Sequence, residues 1–550
     1  MINKICIDNF DKTGFGDKFC VFYVEKTDDT NIVHDEIPVI YSASYVTKNN
    51  CYLLTPSSAN EKLLYSVFPE QHYKIKRIAI NELDPWHLIT LLINKQANLD
   101  LSFNNLTATL YLITDSKRDC KQTISFFIDR NFVLSCQVKT FTLLNSKTLP
   151  KFTYKTQKAI SDGKLTQYEI KDPFVCRLLK KRDSDFYINR TTLKRKNTLD
   201  FFSLDLSDSK VFEMFRLLRA LNNENHDFIS LSFENIEYNR VLESKREQGS
   251  VFELLLSRVS DDTRINIIDY CDQEEAIRKI LNATDISYCF SSELSKDMPN
   301  LVIIKSAEEY KKTGEDDKHK LSKEFVVQNI IYSNFNEMTL KQCWLELIIK
   351  HEAVKKTIKT VDLKGSWLFY KLLNKKAHCL EVSDNRIRYI YSFNVPEPIS
   401  DLLNSYKDRD PRYIVHNGKS LLILNTTIRM IPDWNKIVDN KDLFIDESNG
   451  KKRNKIRTHR NVLFGESIDV NTFSFEGKKY YSVGEIGYGM NRSISNSPAT
   501  KEIIENGLTI EDCMFMMEPN IYQINKYAVY PYPYKLMDEL FVLNGGQIDE

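Results

Sequence analysis

The sequence predicts a multidomain α/β protein, and three observations carry that reading. First, RINIIDY (264–270), EEAIRKILNA (274–283), ISYCFS (286–291) and NLVIIKS (300–306) alternate strand-like and helix-like stretches. Their apolar runs are those of parallel strands buried on both faces by helices. Second, 550 residues exceed what one hydrophobic core fills, and the length prior gives roughly three to four domains. Third, 42% hydrophobic and 27% charged residues are the proportions of a folded globular chain rather than a disordered one.

Composition also excludes function classes. Lys and Arg number 76 against 75 Asp and Glu, so any nucleic-acid surface must be a local patch. No run approaches the roughly 18 apolar residues of a membrane helix. The N-terminal MINKICIDNFDKTGFGDKF contains acids and lacks an apolar core, so it does not read as a secretory signal, and a cytoplasmic protein is expected. The 11 cysteines stand singly, with no CxxC or CxxxC pair and no histidine at zinc-finger spacing. They read as reduced, buried thiols, Cys379 beside His378 included. The lack of an HExxH motif argues against a zinc hydrolase. No glycine-rich loop follows the first strand of the 264–306 series, so a dinucleotide site is not expected.

Four regions follow one another. In residues 1–115, FCVFYVEK (19–26), PVIYSASYV (38–46) and ATLYLIT (108–114) are rich in β-branched and aromatic residues and read as strands. Between them DPWHLITLLINKQ opens a helix, with Asp84 as cap and Pro85 in the first turn. Residues 116–250 hold a hairpin, QTISFFIDRNFVLSCQVKTFTLL (122–144), and an amphipathic core helix, VFEMFRLLRALNNE (211–224). A basic run lies between these two: Arg177, Lys180, Lys181, Arg182, Arg190, Lys194, Arg195 and Lys196, with Phe186 and Tyr187 among them. Such a mixture suits a nucleic-acid backbone and its bases. With Asp183 and Asp185 as counter-charges it also suits a solvated loop. Residues 251–360 contain the β-α-β series, and residues 361–550 form the last region.

The stretch 324–356, EFVVQNIIYSNFNEMTLKQCWLELIIKHEAVKK, organises the rest. An apolar patch from Phe325 to Ile331 carries two adjacent amides, Gln328 and Asn329, of which Gln328 is the one singled out. From about Thr339, Leu340, Cys343, Trp344, Leu347 and Ile348 recur at i, i+3, i+4, i+7 and i+8, the period of a helix. Lys350, Lys355 and Lys356 crowd its C-terminal end, where cations complement the helix dipole. Periodicity alone describes an ordinary core helix with solvated lysines. An amide on an apolar strand, followed by a lysine at a helix end, is better suited to an anion.

This stretch resembles the end of the middle (MID) domain of Argonaute proteins, where a glutamine leads into a TL…L…(I/N)xK helix. The resemblance implies a Rossmann-like MID domain over 251–360, with Gln328 and Lys350 holding the 5′-phosphate of a guide strand. It also implies a lysine ahead of the glutamine. Lys318 is the match, in AEEYKKTGEDDKHKLSK (307–323), with His319 and Lys320 beside it and Tyr310 as a stacking residue or turn anchor. Where the family has another lysine four residues before Lys350, this chain has Glu346, which lowers the positive charge of the pocket. Mg2+ at the guide phosphate is the one cofactor implied. The terminal GGQIDE is polar, unlike the apolar terminus of the family.

From 361 onward the resemblance implies an RNase H-like PIWI domain, whose cutting centre uses acids to hold two divalent ions. AHCLEVSDNRIRYIYSF (377–393) is similar to its first hairpin, with Glu381 at the first catalytic aspartate and Asp384 as a lesser substitute. RYIVHNGKSLLIL (412–424) is similar to the strand ending in RDG, and here Asn417 replaces the acid. An amide keeps the shape and gives up a negative charge beside two dications. AVYPYPYKLMDELF (528–541) resembles the PxPxYxAxL helix start, placing the last metal ligand on Asp538. Backbone contacts are implied for Lys451, Lys452 and Arg453 in KKRNKIRTHR (451–460), and for Arg492 in KKYYSVGEIGYGMNRSIS (478–495). In the latter, Gly487 and Gly489 let a backbone approach. By position, 1–115 then becomes a mixed α/β N-terminal domain and 116–250 a set of linkers with a reduced PAZ-like region.

The expectation is a nuclease-inactive prokaryotic Argonaute-like protein. It would bind a short 5′-phosphorylated guide, DNA favoured, recognise complementary plasmid or phage DNA, and recruit a helicase or nuclease effector. A guide-directed, metal-dependent endonuclease with a divergent active site is the alternative. A scaffold that binds no nucleic acid is the third reading.

Overall fold

The computed structural model describes residues 1–27, 39–47, 49–97, 108–114, 120–143, 155–161, 164–171, 175–178, 187–189, 228–237, 239–243, 264–284, 286–314, 325–431, 445–446, 453–454, 469–483, 499–517 and 529–546. It is a mixed α/β structure with several sheets. The chain divides into two compact units, 1–236 with 427–460 and 486–498, and 237–426 with 461–485 and 499–550.

In the first unit Asp11 caps the helix Lys12–Lys18 by accepting from Thr13 N at 2.9 Å. The strand Phe19–Lys26 then enters an antiparallel sheet in the order Ser42–Tyr45, Asn50–Pro56, Phe19–Lys26, Tyr73–Ile78. Phe22, Val24, Leu53 and Ile75 of this sheet pack with Leu64 and Phe68. Asp84 accepts from Trp86 N at 2.8 Å and opens the helix Pro85–Ala97. The strand Ala108–Thr114, which the sequence groups with residues 1–115, pairs antiparallel with Cys120–Ile128 from Ala108↔Ile128 to Thr114↔Gln122. With five further strands these two close a barrel within 108–189. Closure leaves no unpaired edge, so backbone pairing draws Ala108–Thr114 into the barrel. The basic run falls mostly outside the described residues, as does the 211–224 helix.

The second unit contains the β-α-β series. Its elements are β1 (Ile265–Asp269), α1 (Glu274–Leu281), β2 (Tyr288–Phe290), β3 (Asn300–Ile304), α2 (Ala307–Thr313), β4 (Val327–Ile331) and α3 (Glu337–Lys355). The four strands are parallel in the order β2-β1-β3-β4, an order found in doubly wound α/β sheets. Ile265, Ile267, Leu301 and Ile303 pack on one face with Ile277 of α1 and with Leu340, Trp344 and Leu347 of α3. Ile268, Val302 and Ile304 pack on the other face with Tyr310 of α2. Tyr310 is therefore a core residue. Burial on both faces explains the continuous apolar runs.

The remaining elements are β5 (Ser366–Leu373), β6 (Lys376–Ser383), β7 (Arg386–Ile390), α4 (Glu397–Ser405), β8 (Arg412–His416), β9 (Lys419–Asn425), β10 (Asp469–Phe475), β11 (Lys478–Val483), β12 (Ala499–Asn506) and α5 (Pro533–Leu543). With Asn239–Glu243 they form a nine-stranded sheet in the order Asn239–Glu243, β10, β11, β12, β9, β8, β5, β6, β7. Every neighbouring pair is antiparallel. Strand alternation sorts side chains between two cores. Trp367, Phe369, Leu380 and Val382 face α5, while Tyr370, Ala377 and Cys379 pack with Leu403 of α4.

Candidate functional site

β4 pairs with β3 at the margin of the parallel sheet, and α3 packs along it. This brings the carboxyl half of α3 to the start of β4. Lys350 Nζ donates to Gln328 Oε1 at 2.8 Å and to the Val327 carbonyl oxygen at 3.1 Å. The amide and the ammonium singled out in the sequence are thus in direct contact. Both acceptors are neutral, so they orient the ammonium without cancelling its charge.

A second helix brings further charges to this place. α5 packs against α3, and Lys535 and Glu539 stand one turn apart on it, as Glu346 and Lys350 do on α3. Lys535 feels the Glu346 carboxylate, and Glu539 feels the Lys350 ammonium. Lys535 Nζ is buried and has no hydrogen-bond partner among the described residues. Burial pulls its ammonium down to about 8, with Glu346 acting in the opposite direction. Burial raises the Glu539 carboxyl above the usual range, and Lys350 opposes this. Burial and Glu346 together push the nearby Cys343 thiol up to about 11.

The charge census is two ammonium and two carboxylate groups around one amide. As for Mg2+, Glu346 and Glu539 are the nearest carboxylates, and each is opposed by a lysine. Among the described residues no group of three or more His, Cys, Asp or Glu side chains is placed to hold an ion. Mg2+ is usually bound by one or two carboxylates together with substrate phosphates and waters, so at this place a guide phosphate would have to supply part of its ligands.

Beyond Lys350 on α3, Glu352 is 3% exposed and accepts four hydrogen bonds. Its Oε1 receives Lys359 N and Thr360 N, each at 2.7 Å, and Thr360 Oγ1 at 2.8 Å, while Oε2 receives the Tyr532 hydroxyl at 2.8 Å. Burial raises this carboxyl, and the hydrogen bonds pull against that. The network ties α3 to the residue that precedes α5, and so fixes the two helices that bear the charges.

The three positions matched to a cutting centre stand on different elements: Glu381 on β6, Asn417 in the β8–β9 turn and Asp538 on α5. Glu381 pairs with Leu368 and, with Ala377 and Cys379, belongs to the α4 side of the sheet, where Arg388 Nε donates to it at 2.6 Å. Asp538 projects from α5 on the other side, and its partner is Lys371 of β5, an ammonium only 6% exposed. By strand parity the two carboxylates lie on opposite faces of the sheet. Asn417 has a conformational reason to be where it is. With Gly418 it forms the β8–β9 turn at φ 50° and 74°, where Asn-Gly is the favoured pair. Its Nδ2 meets His416 Nε2 at 3.0 Å. Asp384 lies in the β6–β7 turn at φ 48° and accepts from Gly365 N at 3.2 Å.

Lys318, Lys451, Lys452 and Arg492 lie outside the described residues, as do His319, Lys320, Gly487 and Gly489. Arg453 begins the two-residue strand Arg453–Asn454. Three functional candidates escaped the sequence reading: Lys371, Lys535 and Glu352. A lysine at a core-facing position of SWLFYKLL and a Lys–Glu pair four apart in KLMDE were the available signals.

The chain matches no family model and no curated protein. Among solved structures, that of Kluyveromyces polysporus Argonaute with a guide RNA aligns over 97% of this chain and 90% of its own, at 8% identity and a TM-score of 0.40. That likeness is too distant to establish a family.

Proposed function

We propose that this chain is an Argonaute-like nucleic-acid-binding protein that holds the 5′ end of a short guide strand at the Gln328–Lys350 contact. The guide then pairs with a complementary strand, so base pairing supplies sequence recognition and the protein supplies the anchor. The observation that carries the proposal is the 2.8 Å bond from Lys350 Nζ to Gln328 Oε1. A strand amide and a helix ammonium twenty-two residues apart meet at one point, and the motifs around them follow in the order of the MID–PIWI resemblance. Lys318, the loop cations and Arg492 belong to this proposal as further phosphate and backbone contacts.

In the same proposal the chain does not cut. Asp538 is paired with Lys371, and Glu381 lies across the sheet, so these two acids do not support a shared pair of dications. Output then requires a separate helicase or nuclease effector acting on invading plasmid or phage DNA in the cytoplasm. The alternative of a guide-directed endonuclease needs Asp538 released from Lys371.

Binding of 5′-phosphorylated and 5′-hydroxyl oligonucleotides, DNA and RNA, tests the anchor. Wild type should prefer the phosphate, and Gln328→Ala with Lys350→Ala should abolish that preference. A preference that survives the double substitution would place the anchor elsewhere.

A further inference from the structure

We infer that a second nucleic-acid contact lies beyond the end of the outermost strand of the antiparallel sheet, where one base of a single-stranded segment stacks on Phe393 and its phosphates meet Lys375 and Lys376. The inference rests on reading the chain as nucleic-acid-binding, but not on the Gln328–Lys350 anchor.

The rings are held in line. The Tyr389 hydroxyl and His378 Nδ1 are 2.9 Å apart, and the His378 ring packs edge-on against Phe541 of α5, centroids 5.3 Å apart. Tyr391 then packs on Tyr389 at 5.2 Å and 83°. Phe393 stacks on Tyr391 at 5.8 Å, with planes only 8° apart. Each ring therefore orients the next, ending at a phenyl that is 80% exposed while Tyr391 is 41% exposed. An exposed phenyl with one face backed by a parallel ring presents its other face as a flat π surface, which suits a nucleobase of any sequence.

Lysines stand at the same end of the sheet. β7 runs antiparallel to β6 with Ile390↔Cys379, so the residues after Ile390 advance toward the β5–β6 turn. The 3-10 turn Ser392–Asn394, which bears Phe393, packs against β6. At that turn Asn374 and Lys375 both have positive φ, 47° and 63°, which closes a tight hairpin and leaves Lys375 and Lys376 exposed. Of the nearby acids, Asp538 of α5 acts on Tyr389 and is paired with Lys371. Glu381 is paired with Arg388, and Glu397 and Asp401 are on α4, which packs on the other face from Tyr389. Aromatic rings bordered by cations point to a single strand rather than to an apolar peptide.

Fluorescence anisotropy on the full chain tests this, using single-stranded DNA and RNA whose 5′ end carries the fluorophore and so cannot enter the anchor. Phe393→Ala should weaken binding about 5- to 150-fold, and Phe393→Trp should hold or tighten it. Phe393→Leu separates the two occupants: a base loses its stacking partner, while an apolar peptide keeps its contact. Lys375→Ala with Lys376→Ala should flatten the salt dependence. Unchanged affinity in Phe393→Ala, or wild-type affinity in Phe393→Leu, would overturn the inference. Because Phe393 is exposed, these variants fold, and a thermal melt verifies it. A lost 5′-phosphate preference in Gln328→Ala/Lys350→Ala beside an inert Phe393→Ala would remove this contact and leave the anchor. The converse would remove the anchor and leave this contact.

Discussion

Lys535→Met should make the protein more stable while weakening its hold on a guide. The ammonium sits in a place where burial pulls it from its ordinary 10.5 to about 8, and it has no hydrogen bond among the described residues. At about 1.4 kcal/mol per unit, that displacement is a burial cost of about 3 kcal/mol at neutral pH. Methionine fills a similar volume without a charge, and the displacement to about 8 already includes the opposing pull of Glu346. The net expectation is a stabilisation of about 1–3 kcal/mol. The pH dependence has a definite sign. Because the folded value lies below the unfolded one, the unfolded chain holds more protons between about pH 8 and 10.5. Wild-type stability from this group therefore rises with pH across that window, and the rise vanishes in Lys535→Met. Urea denaturation of both proteins near pH 7 and about pH 9.5 measures both effects. A variant less stable than wild type at pH 7, or one with the same pH slope, would refute the reasoning. A costly cation is retained when a ligand uses it, so the same variant should also lose 5′-phosphate preference.

The other expectations concern the groups around that site. Glu352→Ala removes the acceptor of four hydrogen bonds, from the Tyr532 and Thr360 hydroxyls and the Lys359 and Thr360 N–H groups, and should cost about 3 kcal/mol. Glu352→Gln keeps one acceptor and should cost about 1 kcal/mol, so equal losses in a denaturation series would contradict the network. Asp538→Ala leaves the Lys371 ammonium buried without its carboxylate and should cost about 3 kcal/mol. Lys371→Met combined with Asp538→Leu should recover most of that, and failure to recover would mean the pair is not what the substitution breaks. Asn417→Asp alone should give no cleavage with matched guide, target and Mn2+, because Lys371 still occupies Asp538; robust cutting by this variant would disprove the account.

Local pattern made much of the second unit legible. Apolar runs between short helices predict a parallel sheet because strands buried on both faces cannot alternate, and 264–331 forms one. The i, i+3, i+4 rhythm from Leu340 predicts the helix observed as Glu337–Lys355. The Gln328–Lys350 pair was readable for the same reason: each residue is polar where its own element is apolar. The side of the sheet on which Glu381 lies was not legible, because a motif match in sequence does not report which face of a strand a side chain occupies. A shift of one residue moves it across the sheet. Lys371 was overlooked because a lysine within an apolar strand looks like an edge residue until a partner arrives from far along the chain.

By itself, then, the sequence determined the kinds of element, the amide and the ammonium that meet, and the Asn-Gly turn, since each follows from neighbours within a few residues. The tertiary structure decided the rest. It set Lys371 against Asp538, Lys535 near Glu346, and a row of aromatic rings beside a lysine-bearing turn. Those contacts join residues up to 189 positions apart, and pairing over such distances depends on strand register and helix packing, which no local pattern encodes.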